Sequence, residues 1–195
     1  MILLLLAAVA GYLCGSVSTA TLAARRRGID LRAVGSGNPG ATNVGRALGR
    51  RAGLVVALLD VVKGALPAAG FGAVDHRAGL VAGAAAMLGH VTSPLLRGRG
   101  GRGVATAAGA IVGSHPAWAP VVLAVWLVVA ATSRWIALAS VTAAVTLTVI
   151  ALVVREDLLW ASVLMLVVLA RHQPNLARRL EARRPPPLRD EPDVT

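Results

Sequence analysis

Seven apolar runs, separated only by short polar breaks, constrain this chain more than any other feature. They fall at about residues 1–24, 53–74, 77–96, 104–114, 117–132, 135–154 and 157–170. A helix that crosses the hydrocarbon core needs about 20 apolar residues, so a repeat of this kind predicts an all-α, polytopic membrane protein of about seven helices. The fourth and seventh runs are short; they are expected to tilt little, extend into polar flanks or enter without crossing. Composition agrees, with 56% hydrophobic and only 15% charged residues, a balance that a soluble domain rarely shows.

The charge pattern orients the bundle. Arginine and lysine collect on the cytoplasmic side of membrane proteins, and "RRR" at 25–27 follows the first apolar run instead of preceding it. This argues against a cleaved signal peptide and places the N-terminus outside. Seven spans then put every arginine on the inner side or in the inner tail except Arg77 and Arg155, while Lys63 lies within a span. The net charge of +11 is therefore a topological signal. With 3% aromatics and mostly membrane-length segments, no nucleic-acid face is expected. Cys14 is the only cysteine, which excludes an intrachain disulfide and a cysteine metal cluster. One membrane domain is expected over 1–184, followed by a proline-rich, disordered tail from 185.

The chemistry is concentrated in the polar breaks. "GSGNPGATN" at 35–43 fits G-x-G-x-x-G through Gly35, Gly37 and Gly40. The dinucleotide reading of that pattern needs a strand before it and a helix after it; a membrane helix precedes it and no β-α-β unit is available. What remains is a dense set of hydrogen-bonding groups, Ser36, Asn38, Thr42 and Asn43, on a flexible backbone that can form an anion nest, with Arg46 as a fork for phosphate. The alternative is a turn with helix caps.

A second basic loop, "RGRGGRGVAT" at 97–106, is expected on the same face. It is not a Walker A sequence, because Val104 follows Gly103 where lysine is required. Gly100, Gly101 and Gly103 would let a phosphate approach the backbone, with Arg97, Arg99 and Arg102 supplying charge at a helix start; a positive-inside anchor is the bland alternative. Asp60 and Lys63, three apart, can pair on one helix face, either structurally or as active-site charge. His90 ends the third run close to the glycine loop, as a base, a phosphate donor or only a cap. "RHQPN" places His172 and Asn175 where the last run meets the cytoplasm, sharing a face if the helix continues past Pro174. Ser133, Arg134, Trp135 and Ser140 offer polar and interfacial groups at the start of the sixth run. No metal site is expected, because no cluster of histidines and carboxylates stands on one predicted side, and His76 and His115 in outer loops receive no role.

Together "GSGNPGATNVGRALG", "LDVVKG", "GH" at 89–90 with "GGRGVAT", and "RHQPN" resemble, in order, the signatures of the bacterial membrane-integral acyl-phosphate:glycerol-3-phosphate acyltransferases, the PlsY family, over about residues 10–180. The resemblance implies transfer of a fatty acyl group from acyl phosphate to the 1-hydroxyl of sn-glycerol 3-phosphate, without cofactor or metal, by a monomer of the bacterial cytoplasmic membrane whose site faces the cytoplasm. It implies catalytic roles for Ser36, Asn38, Arg46, His172 and Asn175. Phosphate binding would fall to Gly37, Gly40, Thr42, Asn43, His90, Gly100, Gly101, Arg102 and Gly103. The chain departs from the family pattern at Gly98 (commonly aromatic), Arg102 (lysine), Ala137 (serine), Ala182 (glycine) and Arg184 (glutamate). A non-catalytic relative that binds lipid precursors and an anion transporter are the alternative functions.

Overall fold

The computed structural model describes residues 1–181. The expected tail, Ala182 and Arg184 lie outside the described residues, as do the side chains at 175, 176 and 178–181. Described elements are α-helical apart from one 3-10 turn, Pro94–Leu96. They are α1 (Ile2–Ser16), α2 (Thr19–Arg25), α3 (Ala41–Leu48), α4 (Arg50–Gly72), α5 (His76–Thr92), α6 (Val104–Ser114), α7 (Ala119–Ser133), α8 (Ile136–Val154) and α9 (Leu158–Glu181). Four stretches are long and apolar enough to cross a membrane: Ile2–Arg25, Arg50–Gly72, His76–Leu96 and Ile136–Val154. Val104–Ser114, Ala119–Ser133 and Leu158–Pro174 are shorter apolar helices. Every expected apolar run is therefore helical.

Two features differ from the sequence expectation. The first run is two helices, because Val17 and Ser18 are extended, with Ser18 capping α2 by accepting from the Thr21 amide. The polar stretch after Gly40 is a helix of its own, α3, which buries Asn43 and Val44 against a small cluster with Leu31, Ala20, Ala24 and Val56.

The break between α1 and α2 frees backbone carbonyls inside an apolar layer, where an unpaired polar group is costly. Polar side chains satisfy them. Lys63 donates through Nζ to Val17 O at 2.9 Å, and Ser93 donates through Oγ to Ser16 O at 2.6 Å. Lys63 also pairs with Asp60 at 2.8 Å, and Asp60 Oδ1 accepts from Thr19 Oγ1 at 2.8 Å. Pro67, inside α4, has no N–H for the carbonyl four residues back; Cys14 Sγ donates to that carbonyl, Lys63 O, at 3.5 Å. Asp60 and Lys63 thus clasp α1, α2 and α4.

Close helix approach depends on small residues, since lipid supplies no hydrophobic drive between helices. Gly11 and Gly15 of α1 lie on the Ala82 and Ala86 carbonyls of α5, and Gly89 lies on Tyr12 O of α1. Gly64 of α4 lies on Thr106 O, and Gly109 and Gly113 of α6 lie on Val61 O and Ala65 O. A Cβ at any of these positions would push into the partner's backbone. α6, with 11 residues, is about 16 Å long at 1.5 Å per residue, and this packing against α4 holds it despite its length. A second layer, α7 to α9, closes over α5 and α6 through Met87, Leu147, Trp160 and Leu164, and Trp160 Nε1 donates to Leu80 O at 3.0 Å.

Gly15→Val is expected to cost about 1–3 kcal/mol by overpacking and to lower the thermal midpoint in detergent. Leu13→Val, at a position 60% exposed on the same helix, should leave the midpoint nearly unchanged.

Candidate active site

The helix ends sort the polar breaks onto two faces of the bundle. The segment 26–40, the segment 93–103 and the C-terminal part of α9 meet at one face. Arg32 donates through Nη2 to Leu96 O and Arg99 O, each at 3.4 Å, and Arg171 donates through Nη2 to Gly100 O at 3.0 Å. Guanidinium groups therefore join three segments that are far apart in sequence.

The first glycine segment is organised from beneath by Asn43. Its side chain, 1% exposed, donates through Nδ2 to Leu31 O (3.1 Å) and Val34 O (2.9 Å) and accepts through Oδ1 from the Ser36 amide (3.1 Å). Gly35 and Gly37 have φ of 58° and 67°, a region that glycine enters without steric cost, so the turn presents Ser36 and Asn38 on its outer side.

The second glycine segment folds back on α5. The Gly100 and Gly101 amides donate to Val91 O and His90 O, each at 3.0 Å, and satisfy carbonyls that the helix end leaves open. A Cβ at Gly101 would strike His90 Nε2, and one at Gly100 would strike His90 O. These glycines are therefore required by contact with α5, and their two amides are already used. α6 then begins at Val104 with no side-chain cap, so its first N–H groups lack intrahelical partners.

Between these segments lies a cavity of about 250 Å³, lined by Arg32, Ser36, Gly37, Asn38 and Pro39, by Arg99, Gly100 and Arg102, and by Ala170, Arg171 and Pro174. α9 continues through Pro174. Proline has no N–H to return to the carbonyl four residues back, here Ala170 O, and both residues line the cavity. Arg171 Nε is buried without a hydrogen-bond partner among the described residues.

Among the residues singled out from sequence, Ser36, Gly37, Asn38, Gly100 and Arg102 line this cavity. The others are outside its lining. Asn43 and Gly101 shape the segments as described, Gly40 is the N-terminal cap residue of α3, and Gly103, with φ of 83°, is that of α6. Thr42 and Arg46 are exposed on α3, Arg46 beside Gly35. His90 is buried beneath Gly101, its Nδ1 3.8 Å from Asp60 Oδ1. His172, 1% exposed, donates through Nδ1 to Val168 O at 2.8 Å. Asn175 follows three residues later on α9, its side chain outside the described residues. Arg99, read on the sequence as charge for a phosphate, lines the cavity as well, and Arg32 and Arg171 line it without having been singled out as site residues. On the sequence Arg32 and Arg171 read as inner-side charge, and only their position just before the first glycine run and next to His172 pointed further.

The glycerol-3-phosphate acyltransferase family model matches residues 5–182. The chain belongs to that family. The Geobacter sulfurreducens glycerol-3-phosphate acyltransferase is 42% identical over 184 residues, covering 91% of this chain and 94% of the relative. An enzyme of the same name from Thermus thermophilus is 44% identical over 177 residues, 87% of this chain and 88% of the relative. Among solved structures, the glycerol 3-phosphate form of PlsY, an integral membrane glycerol 3-phosphate acyltransferase, superposes with a TM-score of 0.88 at 36% identity, over 93% of this chain and 94% of that one. The lysophosphatidic acid form of PlsY gives 0.85 at 34%. As a member of the glycerol-3-phosphate acyltransferases the chain is an integral membrane protein, and residues of its first, glycine-rich second and last motifs line one cavity at one face.

The opposite face corrects the expectation that histidines and carboxylates form no cluster. His76, His115 and Asp157 stand together there, with ligand atoms within 4.8 Å of one another. Folding joins three connections that the sequence separates. Burial lowers the pKa of the His115 imidazole, against the opposing pull of the Asp157 hydrogen bond and charge.

Asn43→Asp replaces the Nδ2 donor by an acceptor facing two carbonyls. The loss is expected to be about 1–3 kcal/mol of local stability, read as a roughly tenfold to hundredfold fall in amide-exchange protection over 31–38, together with lost activity.

Proposed function

We propose that this chain transfers a fatty acyl group from acyl phosphate to the 1-hydroxyl of sn-glycerol 3-phosphate, releasing 1-acyl-glycerol 3-phosphate and phosphate. The observation that carries the reading is the cavity in which Arg32, Arg99, Arg102 and Arg171 surround Ser36 and Asn38. Both substrates are anionic, and a cluster of guanidinium groups at the end of a helix bundle suits phosphate from the aqueous side and an acyl chain from lipid. The relatives are named for this acceptor, and PlsY is known in forms with glycerol 3-phosphate and with lysophosphatidic acid. Arginine asymmetry puts the cavity on the cytoplasmic side of a bacterial plasma membrane, with the N-terminus outside and seven spans. The chain acts as a monomer.

The donor is a mixed anhydride, already activated, so no covalent enzyme intermediate is needed. The acceptor hydroxyl oxygen bonds to the acyl carbon, the bond from that carbon to the phosphate oxygen breaks, and the electron pair leaves with phosphate. Catalysis then rests on orientation and on donors that meet the developing negative charge. Ser36 and Asn38 act at the reacting centre, while Arg102, Arg171 and the first amides of α6 hold phosphate. Arg46 on exposed α3 draws anions toward the cavity mouth.

Because His172 is buried behind the cavity wall, the hydroxyl proton passes to a substrate phosphate oxygen. His172 is a positioning residue within reach of the Arg102 and Arg171 charges, and Asn175 supports it from the next turn. Arg102, where the family commonly carries lysine, keeps the charge but offers a fork in place of a point.

Phosphate release in lipid cubic phase, with palmitoyl phosphate and with or without glycerol 3-phosphate, tests the reading. Release is expected to require the acceptor and to fall about 100-fold in Ser36→Ala. Arg102→Lys should retain activity that Arg102→Ala loses. A folded chain that releases no phosphate in the presence of acceptor is instead a lipid-precursor-binding relative without catalysis.

A further inference from the structure

At the face away from the cavity, three connections bring together side chains that the acyl-transfer reading does not use. His76 is the first residue of α5, directly after its N-cap Asp75. His115 follows α6, and Asp157 lies in the turn between α8 and α9. Both imidazoles present Nε2 to one carboxylate oxygen, Asp157 Oδ2, at 2.6 Å from His76 and 2.9 Å from His115.

The arrangement is held, not incidental. The His115 ring is stacked on Trp118, with centroids 3.9 Å apart and planes at 22°, and Trp160 lies 5.3 Å away on α9. Trp160 is itself fixed to Leu80 O of α5. Asp157 has φ of 48° and Arg155 φ of 63°; non-glycine residues seldom occupy this region, although aspartate enters it more readily than most. His115 Nδ1 is buried with no hydrogen-bond partner among the described residues.

We propose that His76, His115 and Asp157 form a divalent-cation site, suited to zinc, that ties α5, the α6–α7 connection and the α8–α9 turn together at the extracytoplasmic end. Two imidazole nitrogens and a carboxylate oxygen are a borderline-soft donor set that suits zinc better than calcium or magnesium. Around a tetrahedral zinc the ligand atoms lie about 3.3 Å apart, given bonds of about 2.0–2.2 Å, and the three atoms already lie within 4.8 Å of one another. The His76 side chain is 56% exposed and the Asp157 side chain 22%, which leaves an open side for ion entry and for water as the fourth ligand. On entry each ring keeps one proton, on Nδ1: a neutral Nε2–H ring shifts its proton there through solvent and a protonated ring releases one, so that the ion takes the place of the protons between the two Nε2 atoms and the carboxylate.

The test uses the full chain, purified without a polyhistidine tag, stripped with chelator and titrated with zinc sulfate in detergent. Bound zinc is measured by mass spectrometry after removal of excess, affinity by competition with a chromogenic chelator, and the thermal midpoint in parallel. One zinc per chain and a raised midpoint are expected. His76→Ala and Asp157→Asn should each weaken binding by more than tenfold, since even changes in the outer shell of a metal site cost about 10–100-fold. Both should abolish the midpoint shift while leaving acyl transfer in the absence of metal unchanged. His115→Ala serves as a third variant, and the first two decide the matter if loss of ring stacking prevents its folding. Substoichiometric zinc in the parent chain, equal zinc in parent and variants, or equal stabilisation by calcium would overturn the assignment.

Discussion

The break between α1 and α2 is the constraint on which the rest of this structure depends. Lipid offers no hydrogen bonds, so carbonyls exposed by an interrupted helix must find donors within the protein. Lys63 reaches Val17 O and Ser93 reaches Ser16 O, while Asp60 holds both Lys63 and Thr19. Replacing the lysine charge would leave a buried carboxylate without its counterion, the costly case for any buried pair. The clasp thereby fixes the exit angle of α2, and with it where the segment carrying Ser36 and Asn38 begins.

From that point the site is assembled by backbone satisfaction more than by side-chain packing. Asn43 stands in for a missing stretch of secondary structure by bonding three backbone groups of 31–36. Gly100 and Gly101 terminate α5 with their amides, and the absence of a Cβ lets them sit on His90. His90 links the two systems, lying between the glycine segment and Asp60. The guanidinium groups of Arg32 and Arg171 cross from one segment to another by bonding to carbonyls, so the charges that line the cavity also pin its walls.

The two faces of the bundle differ in chemistry because they differ in constraint. One holds arginines over a polar cavity, the place proposed for group transfer. The other gathers two histidines and an aspartate where helices that share no loop meet, with tryptophans packed around them. Between the faces, glycine and alanine contacts set the spacing of α1, α4, α5 and α6, and larger side chains fill the contact of α5 and α6 with the layer of α7 to α9.

Much of this was legible in the sequence. Helical membrane segments follow from run length, because a bilayer imposes one length scale on every span. The sidedness expected for the arginines and the family followed from local patterns, "GSGNPGATN", "GGRGVAT" and "RHQPN", each read without knowledge of its neighbours. The interruption at Val17 was not legible, since an apolar run reads the same whether or not its helix is continuous. The roles of Asn43 and His90 were not legible either, because a polar residue near a glycine segment can face a ligand or bond the backbone, and only the fold says which. The cluster of His76, His115 and Asp157 was missed because its members are 39 and 42 positions apart, as their numbering shows. Sequence by itself determined the class, the family and which runs are apolar helices, because those depend on local composition and spacing. Tertiary structure decided which arginines share a cavity, which amides remain open to a ligand and which histidines meet a carboxylate, because those depend on helix ends that only packing brings together.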